Sequence, residues 1–235
     1  PEGANEKAKY QVRMAVAEAA LLEPLSEVGF EVNSKALVVG GGIAGMTAAK
    51  GLADQGFHVT LLEKEETLGG LGRRLHHTIE GKDVREYLNL LIDEVNSDNK
   101  IEVFTDTRVI GYSGYKGNFK TTVATGREGK ETLIEHGVII IATGAKEYEP
   151  TEYLYPDNAN VFTQVELSDR LEQKGAEGLS SVVMIQCVGS RNESFENCSR
   201  ICCQAAVKNA LKIKELNPDT QVYVLNRDIR TYGLL

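Results

Sequence analysis

Tryptophan is absent from this chain, and cysteine does not occur before Cys187. A disulfide-stapled scaffold spreads its thiols to join distant segments, so that class is excluded. Long apolar runs are also missing. The longest are short pieces such as Gly137–Ala142, so no membrane span is expected. An excess of basic charge is missing too: 34 acidic against 26 basic residues give a net charge of −8. With no local basic patch, nucleic acid and anionic bilayers are poor partners. Pro1-Glu2-Gly3 is not a natural start and no signal peptide follows it, which predicts a piece of a longer polypeptide. Clustered free thiols predict a reducing, cytoplasmic setting. What remains is ample for a core. With 235 residues, 42% hydrophobic and 26% charged, bulk disorder is excluded.

The pattern along the chain predicts an α/β protein. Residues 1–34 read as an N-terminal helix over Ala4–Leu22 and a polar connector over Ser26–Ser34. Residues 35–150 read as a Rossmann-like dinucleotide-binding domain. The strand Ala36–Val39, a glycine turn, a helix over Ala44–Gly56 and the strand His58–Glu63 form one βαβ unit. An amphipathic helix follows at Asp83–Asp98, then strands at Ile101–Phe104 and Arg108–Gly111. A small antiparallel insertion comes at Phe119–Ala124 and Thr132–Glu135. The β-branched run Val138–Ala142 predicts a buried strand. Residues 151–235 read as a second, truncated Rossmann-like βαβ domain. It has a short helix at Val165–Lys174, a strand at Val182–Gln186, a helix from about Ser199 to Leu216 and a strand at Gln221–Leu225.

Gly40-Gly41-Gly42-Ile43-Ala44-Gly45 fits G-x-G-x-x-G between a strand and a helix. Gly40 permits the tight turn, Gly42 lets backbone approach a pyrophosphate, and Gly45 lets helix pack on strand. The N–H groups of Ile43 and Ala44 then open a helix N-terminus toward phosphate. Glu63 ends the next strand, where a carboxylate accepts ribose hydroxyls. Three further features favour FAD over NAD: Glu63-Lys64 followed by Leu68-Gly69-Gly70-Leu71, the antiparallel insertion, and Ile140-Ile141-Ala142-Thr143-Gly144 closing the domain. This set resembles the thioredoxin-reductase and disulfide-reductase flavoproteins with two dinucleotide-binding domains. The resemblance implies that Val109 holds the adenine edge through its backbone.

Where that group carries a second glycine fingerprint for NAD(P)H, this chain has Gln186-Cys187-Val188-Gly189-Ser190-Arg191. Pyridine-nucleotide binding there is not expected. No C-x-x-C or C-x4-C dithiol lies near the first helix either. The thiols are spaced Cys187-x10-Cys198-x3-Cys202-Cys203. Four thiolates suit a 4Fe–4S cluster or zinc, and a redox disulfide or inert thiols remain open on spacing alone. Adjacent Cys202-Cys203 fit one small tetrahedral ion poorly, whereas a cubane offers separate irons. Ser190-Arg191 and Arg200 could offset cluster charge or simply be solvated.

The blocks Gln186–Arg191, Asn197–Cys203, Ala205–Lys214 and Asn226–Gly233, with Arg13–Ala17, resemble the heterodisulfide reductase A subunits, iron–sulfur flavoproteins. That resemblance covers nearly the whole chain. It implies FAD at the Gly40 turn and a 4Fe–4S cluster on Cys187, Cys198, Cys202 and Cys203. It further implies the other subunits of that complex, a hydrogenase or formate dehydrogenase, and ferredoxin as partners, and it allows a homodimer. The family's extra ferredoxin-type cysteine repeats have no counterpart in residues 64–180. The competing functions are an NAD(P)H-dependent flavoprotein disulfide reductase and a non-catalytic nucleotide-binding scaffold. No acid, base or nucleophile is singled out as catalytic. His76-His77 reads as a solvated pair, His58 and His136 as structural, and Lys64–Glu66 as a solvated face.

Overall fold

The computed structural model describes residues 3–24, 29 and 31–232. The chain divides into two units, Pro1–Val32 and Asn33–Leu235. The first holds helix α1 (Ala4–Leu21), and none of its side chains is buried. Its apolar residues Val12, Met14 and Val16 are exposed, so alanine-rich propensity and local pairs such as Lys9–Glu6 at 2.8 Å hold it. The expected polar connector falls partly on residues 26–28 and 30, which lie outside the described residues, as does Gly233.

In the second unit, strand β1 (Ala36–Val39), helix α2 (Ile43–Asp54) and strand β2 (Val59–Leu62) form the expected βαβ unit. A short 3-10 turn, Gly70–Arg74, precedes helix α3 (Val84–Ser97), which leads into β3 (Ile101–Phe104). The antiparallel insertion is β4 (Thr107–Tyr115), β5 (Asn118–Thr125) and β6 (Lys130–His136), each longer than its sequence pattern suggests. β7 (Val138–Ile141) then returns beside β1, giving the parallel order β3-β2-β1-β7. Val38 and Leu61 pack under Met46 and Ala49 of α2 and under Leu88, Leu91 and Val95 of α3. Leu37 and Leu62 point the other way, onto Val123 of the insertion. Alternation along β1 and β2 thus feeds two layers, which is why both faces of these strands carry apolar residues. His136 is buried, with Nε2 against Thr121 Oγ1 at 2.8 Å, and burial pushes its imidazole down; its role is structural, as expected.

One expectation is corrected here. The run Val138–Ala142 is not a buried strand: β7 is the sheet's edge, with Ile141 65% exposed. β-branching records strand propensity, and it does not distinguish a centre from an edge.

The remaining elements are helix α4 (Gln164–Lys174), strand β8 (Ser181–Ile185), helix α5 (Cys202–Leu216) and strand β9 (Gln221–Leu225), with β8 and β9 parallel. Helix α5 begins at Cys202, three residues later than its periodicity predicts. Met184 on β8 packs with Leu167 and Leu171 of α4 and with Ala206 and Ile213 of α5. Asn209 Nδ2 donates to Gln164 O and Oε1 at 2.9 and 2.8 Å, tying α5 to α4. A capping box opens α4: Glu166 N–H donates to Thr163 Oγ1 at 3.2 Å, and Thr163 N–H donates to Glu166 Oε2 at 2.8 Å. Thr163→Ala removes the hydroxyl half and is expected to cost about 1 kcal/mol, read as a lower urea midpoint at unchanged slope.

A polar seam joins the 3-10 turn to α4. Arg74 pairs with Glu147 at 3.3 Å and with Asp169 at 3.2 Å, and His76 Nε2 meets Asp169 Oδ1 at 2.7 Å. His76 and His77 are therefore not a solvated pair, which corrects the sequence expectation. Burial, then Lys208 and Lys212 of α5, pushes the His77 imidazole down.

Candidate functional site

Two sites emerge within Asn33–Leu235: the glycine turn and the cysteine block. At the turn, Gly40 has φ +113° and a Cβ there would lie 2.2 Å from Ala142 O. A Cβ on Gly45 would lie 1.8 Å from Gly40 O. Both positions therefore require glycine, one for conformation and one for helix-on-strand contact. Gly42 is different. Its φ of −78° suits any residue, and a Cβ there would meet nothing within 4 Å. The space above Gly42 is open, and no side chain caps α2, so the amide N–H groups that begin Ile43-Ala44 face a region an anion can fill.

The chain does come back to this turn after β2. Gly69 N–H donates to Gly41 O at 2.7 Å, and Gly42 and Gly69 form a parallel bridge. A Cβ on Gly70 would sit 3.3 Å from Gly42 Cα, which explains a glycine there. Leu71 is 40% exposed beside this return, and Lys64 lies out in solvent with Glu65 and Glu66. Glu63 is buried. Its Oε2 accepts from Gly41 N–H at 2.8 Å and its Oε1 from Glu65 N–H at 2.9 Å. The carboxylate thus braces the turn, and each oxygen keeps a further lone pair for a ribose hydroxyl. Ala142 N–H donates to Val39 O at 2.8 Å, carrying Ala142-Thr143-Gly144 past the end of β1, and Gly144 has φ +66°. Val109 sits in β4, paired with Val123 just before a bulge. The residues present fit an adenine dinucleotide: an uncapped helix start, an open glycine and a fixed carboxylate.

The cysteine block joins the end of β8, the following loop and the first turn of α5. All four thiols are free. Cys203 is buried, and burial pushes its thiol up, with Cys202 and Cys187 adding to the effect, so these three sulfurs are electrostatic neighbours. Cys198 accepts from Arg200 N–H at 3.4 Å and lines a cavity of about 480 Å³ with Arg191, Arg230 and Tyr232. Among the described residues, no three His, Cys, Asp or Glu side chains converge closely enough to hold a metal ion. Three non-glycine residues with positive φ fall in this block: Cys187, Arg191 and Arg200. Backbone held in that region collects at functional sites. Guanidinium groups and a helix start without a side-chain cap surround the block, which favours negative charge there.

Sequence reasoning missed several residues here. Tyr148 lies over Gly189, where a Cβ would come within 2.3 Å of its ring, so the turn after β8 is covered. Asp228 and Arg230 were missed, and Asp228 pairs with Arg230 and with the expected Arg191; Tyr232 was missed too, and the expected Arg200 stacks on it at 5.4 Å. Gln186 is 8% exposed with both amide atoms unpartnered among the described residues. Its signal was visible: alternation puts it on the inner face with Val182 and Met184.

Residues 34–189 match the family described as pyridine nucleotide-disulphide oxidoreductase. The chain is 33% identical, over 99% of its length, to the A subunit of the H(2):CoB-CoM heterodisulfide,ferredoxin reductase of Methanothermobacter marburgensis, of which it covers 49%. It is 31% identical to one of the iron-sulfur A subunits of the CoB--CoM heterodisulfide reductase of Methanopyrus kandleri, again over 99% of this chain and 49% of that protein. The chain spans about half the length of the curated relatives it matches. The first alignment runs over 325 residues against 235 here, so about 90 residues of that relative have no counterpart. Among solved structures, L-proline dehydrogenase from P. horikoshii superposes with a TM-score of 0.49 at 20% identity, covering 91% of this chain and 39% of that one. No helix among the described residues is long and apolar enough to cross a membrane.

Proposed function

This chain belongs to the pyridine nucleotide-disulphide oxidoreductase family and is a homologue of heterodisulfide reductase A subunits, and on that premise we propose that it is the FAD- and iron–sulfur-bearing electron-transfer part of such a complex. The observation that carries this reading is the pairing, in one unit, of a dinucleotide-shaped glycine turn with a cysteine block where a second dinucleotide turn would stand. When bound, FAD supplies a centre that exchanges electrons in pairs or singly, and a 4Fe–4S cluster one that exchanges them singly.

The chain's own residues do the holding. Gly40, Gly42, Ile43, Ala44 and Gly45 receive the pyrophosphate, Glu63 and Lys64 the ribose side, and Gly69, Gly70 and Leu71 the returning loop. Val109 flanks the adenine, and Ala142, Thr143 and Gly144 close the cradle. Cys187, Cys198, Cys202 and Cys203 hold the cluster, while Arg191, Arg200 and Arg230 balance its charge. The seam through Arg74, Asp169 and His76 fixes the returning loop to the layer that carries the cysteines. Names of relatives that include ferredoxin, H2 and formate support ferredoxin and a hydrogenase or formate dehydrogenase as exchange partners, with a heterodisulfide as the final acceptor.

Anaerobic isolation followed by reconstitution is expected to give about one flavin and about four irons per chain. A chain that takes up neither would overturn the proposal. Direct reduction by NADH or NADPH favours the rival disulfide-reductase reading. Because Tyr148 covers the Gly189 turn, stopped-flow mixing is expected to show no flavin bleaching by either nucleotide on the timescale of seconds. Fast bleaching would replace the present reading with the rival one.

A further inference from the structure

Two stretches of chain wall the glycine turn. The first is the returning loop. Gly69 N–H donates to Gly41 O at 2.7 Å, and a Cβ on Gly72 would meet Ile43 Cδ1, at the start of α2, at 3.0 Å. Arg73 Nε donates back to Leu68 O and closes this loop on itself. The second wall is Ala142–Gly144, held to β1 through the Ala142 N–H. Arg74 follows shortly after Leu71 in the first wall, and Glu147 shortly after Gly144 in the second.

One guanidinium reaches across. Arg74 Nη1 donates to Glu147 Oε2 at 3.3 Å, and its Nη2 donates to Asp169 Oδ2 at 3.2 Å. Each carboxylate is also held from elsewhere. Glu147 Oε1 accepts from Val165 N–H, in the first turn of α4, at 3.3 Å. Asp169 Oδ1 meets His76 Nε2 at 2.7 Å. An isolated surface pair is worth little. Here the side chains of Glu147 and Asp169 are only 24% and 29% exposed, and a planar fork spans both. Lysine offers one compact ammonium in place of that fork.

We infer that Arg74 is a positioning residue that clasps the two walls of the dinucleotide cradle and slows cofactor release without touching the cofactor. The inference rests on the FAD reading given above. A wall left loose must be ordered at the moment of binding, which costs affinity. The open space over Gly42 is the same with or without the clasp, so encounter is not slowed. The loss then falls on the dissociation rate.

The test is a double-mutant cycle on FAD release from the full chain, followed by stopped-flow flavin fluorescence. Arg74→Met and Glu147→Gln are each expected to speed release about tenfold, with association unchanged. The double variant is expected to lose about tenfold as well, whereas independent effects would multiply to about a hundredfold. Arg74→Lys is expected to resemble Arg74→Met. Multiplying losses, or wild-type release from Arg74→Lys, overturn the clasp. Fast release from Arg74→Met with none from Glu147→Gln makes Arg74 a direct contact of the cofactor and overturns it too.

A measurement without cofactor separates this inference from the FAD reading. In the empty chain, amide hydrogen exchange over residues 69–75 and 142–147 is expected to quicken together in Arg74→Met, while β1 and α2 stay as in wild type. Unchanged exchange in both stretches overturns the clasp even where FAD binds. A wild-type chain that takes up no FAD overturns the cofactor reading, and the effect on release falls with it. Should the variants fail to fold, wild-type exchange in about 1 M salt, where screening sets in within about 3 Å, takes their place. Both stretches are expected to quicken there, and no change overturns the clasp.

Discussion

Cys203→Ser is expected to empty the cysteine block of iron while leaving flavin in place. Serine fills nearly the same volume in the first turn of α5, so the surrounding contacts of Ala206 and Met184 survive. What is lost is a soft thiolate donor. Metal binding by four-ligand structural sites is worth about 10–16 kcal/mol, so one ligand's share is several kcal/mol, or more than about a thousandfold in affinity. Burial and the nearby Cys202 and Cys187 all oppose ionisation of Cys203, a penalty that the cationic core of the proposed cluster would remove. Iron analysis after anaerobic reconstitution is expected to fall from about four atoms per chain to below one. Cys198→Ser, at the cavity with Arg191 and Arg230, is expected to do the same. Full iron in Cys198→Ser would remove it from the ligand set; full iron in all four single variants would end the cluster proposal.

A methyl group at Gly42 is expected to separate folding from cofactor binding. Gly42→Ala meets no atom within 4 Å and keeps an ordinary φ of −78°, so its melting temperature is expected to stay within about 2 °C of wild type. The new Cβ occupies the open space above the turn, where a pyrophosphate must approach backbone closely. FAD affinity is expected to fall by at least about tenfold, measured by fluorescence quenching on titration. Gly45→Ala is expected to behave in the opposite order. Its Cβ would overlap Gly40 O at 1.8 Å, pushing α2 off β1 and loosening Met46 and Ala49 from Val38. That is a folding defect first, of about 1–3 kcal/mol or more, and a binding defect as a result. If Gly42→Ala binds FAD as well as wild type does, the phosphates do not lie over this turn.

Local chemistry made much of this legible beforehand. The strand, glycine turn and helix at Ala36–Asp54 announce themselves because each glycine answers a different steric demand at fixed spacing. The return at Gly69-Gly70 was readable for the same reason. Position within the sheet was not. Val138–Ile141 looks central by composition, and only strand order makes it an edge. The seam was hidden as well, because Arg74, Glu147 and Asp169 are far apart in sequence and each alone is an ordinary surface charge. At the cysteine block the spacing revealed which residues carry the chemistry, while Tyr148 over Gly189 and the orphaned Gln186 amide needed the fold.

The flank of the main sheet has a practical meaning for anyone handling this polypeptide. Beyond β7 a row of backbone donors and acceptors runs beside the bare side chain of Ile141, with no lysine or proline along Val138–Ile141 to blunt it. Such a border is a template for one more strand from any source that supplies it. In concentrated stocks the nearest source is another molecule of the same kind. At high concentration such an edge favours association between molecules.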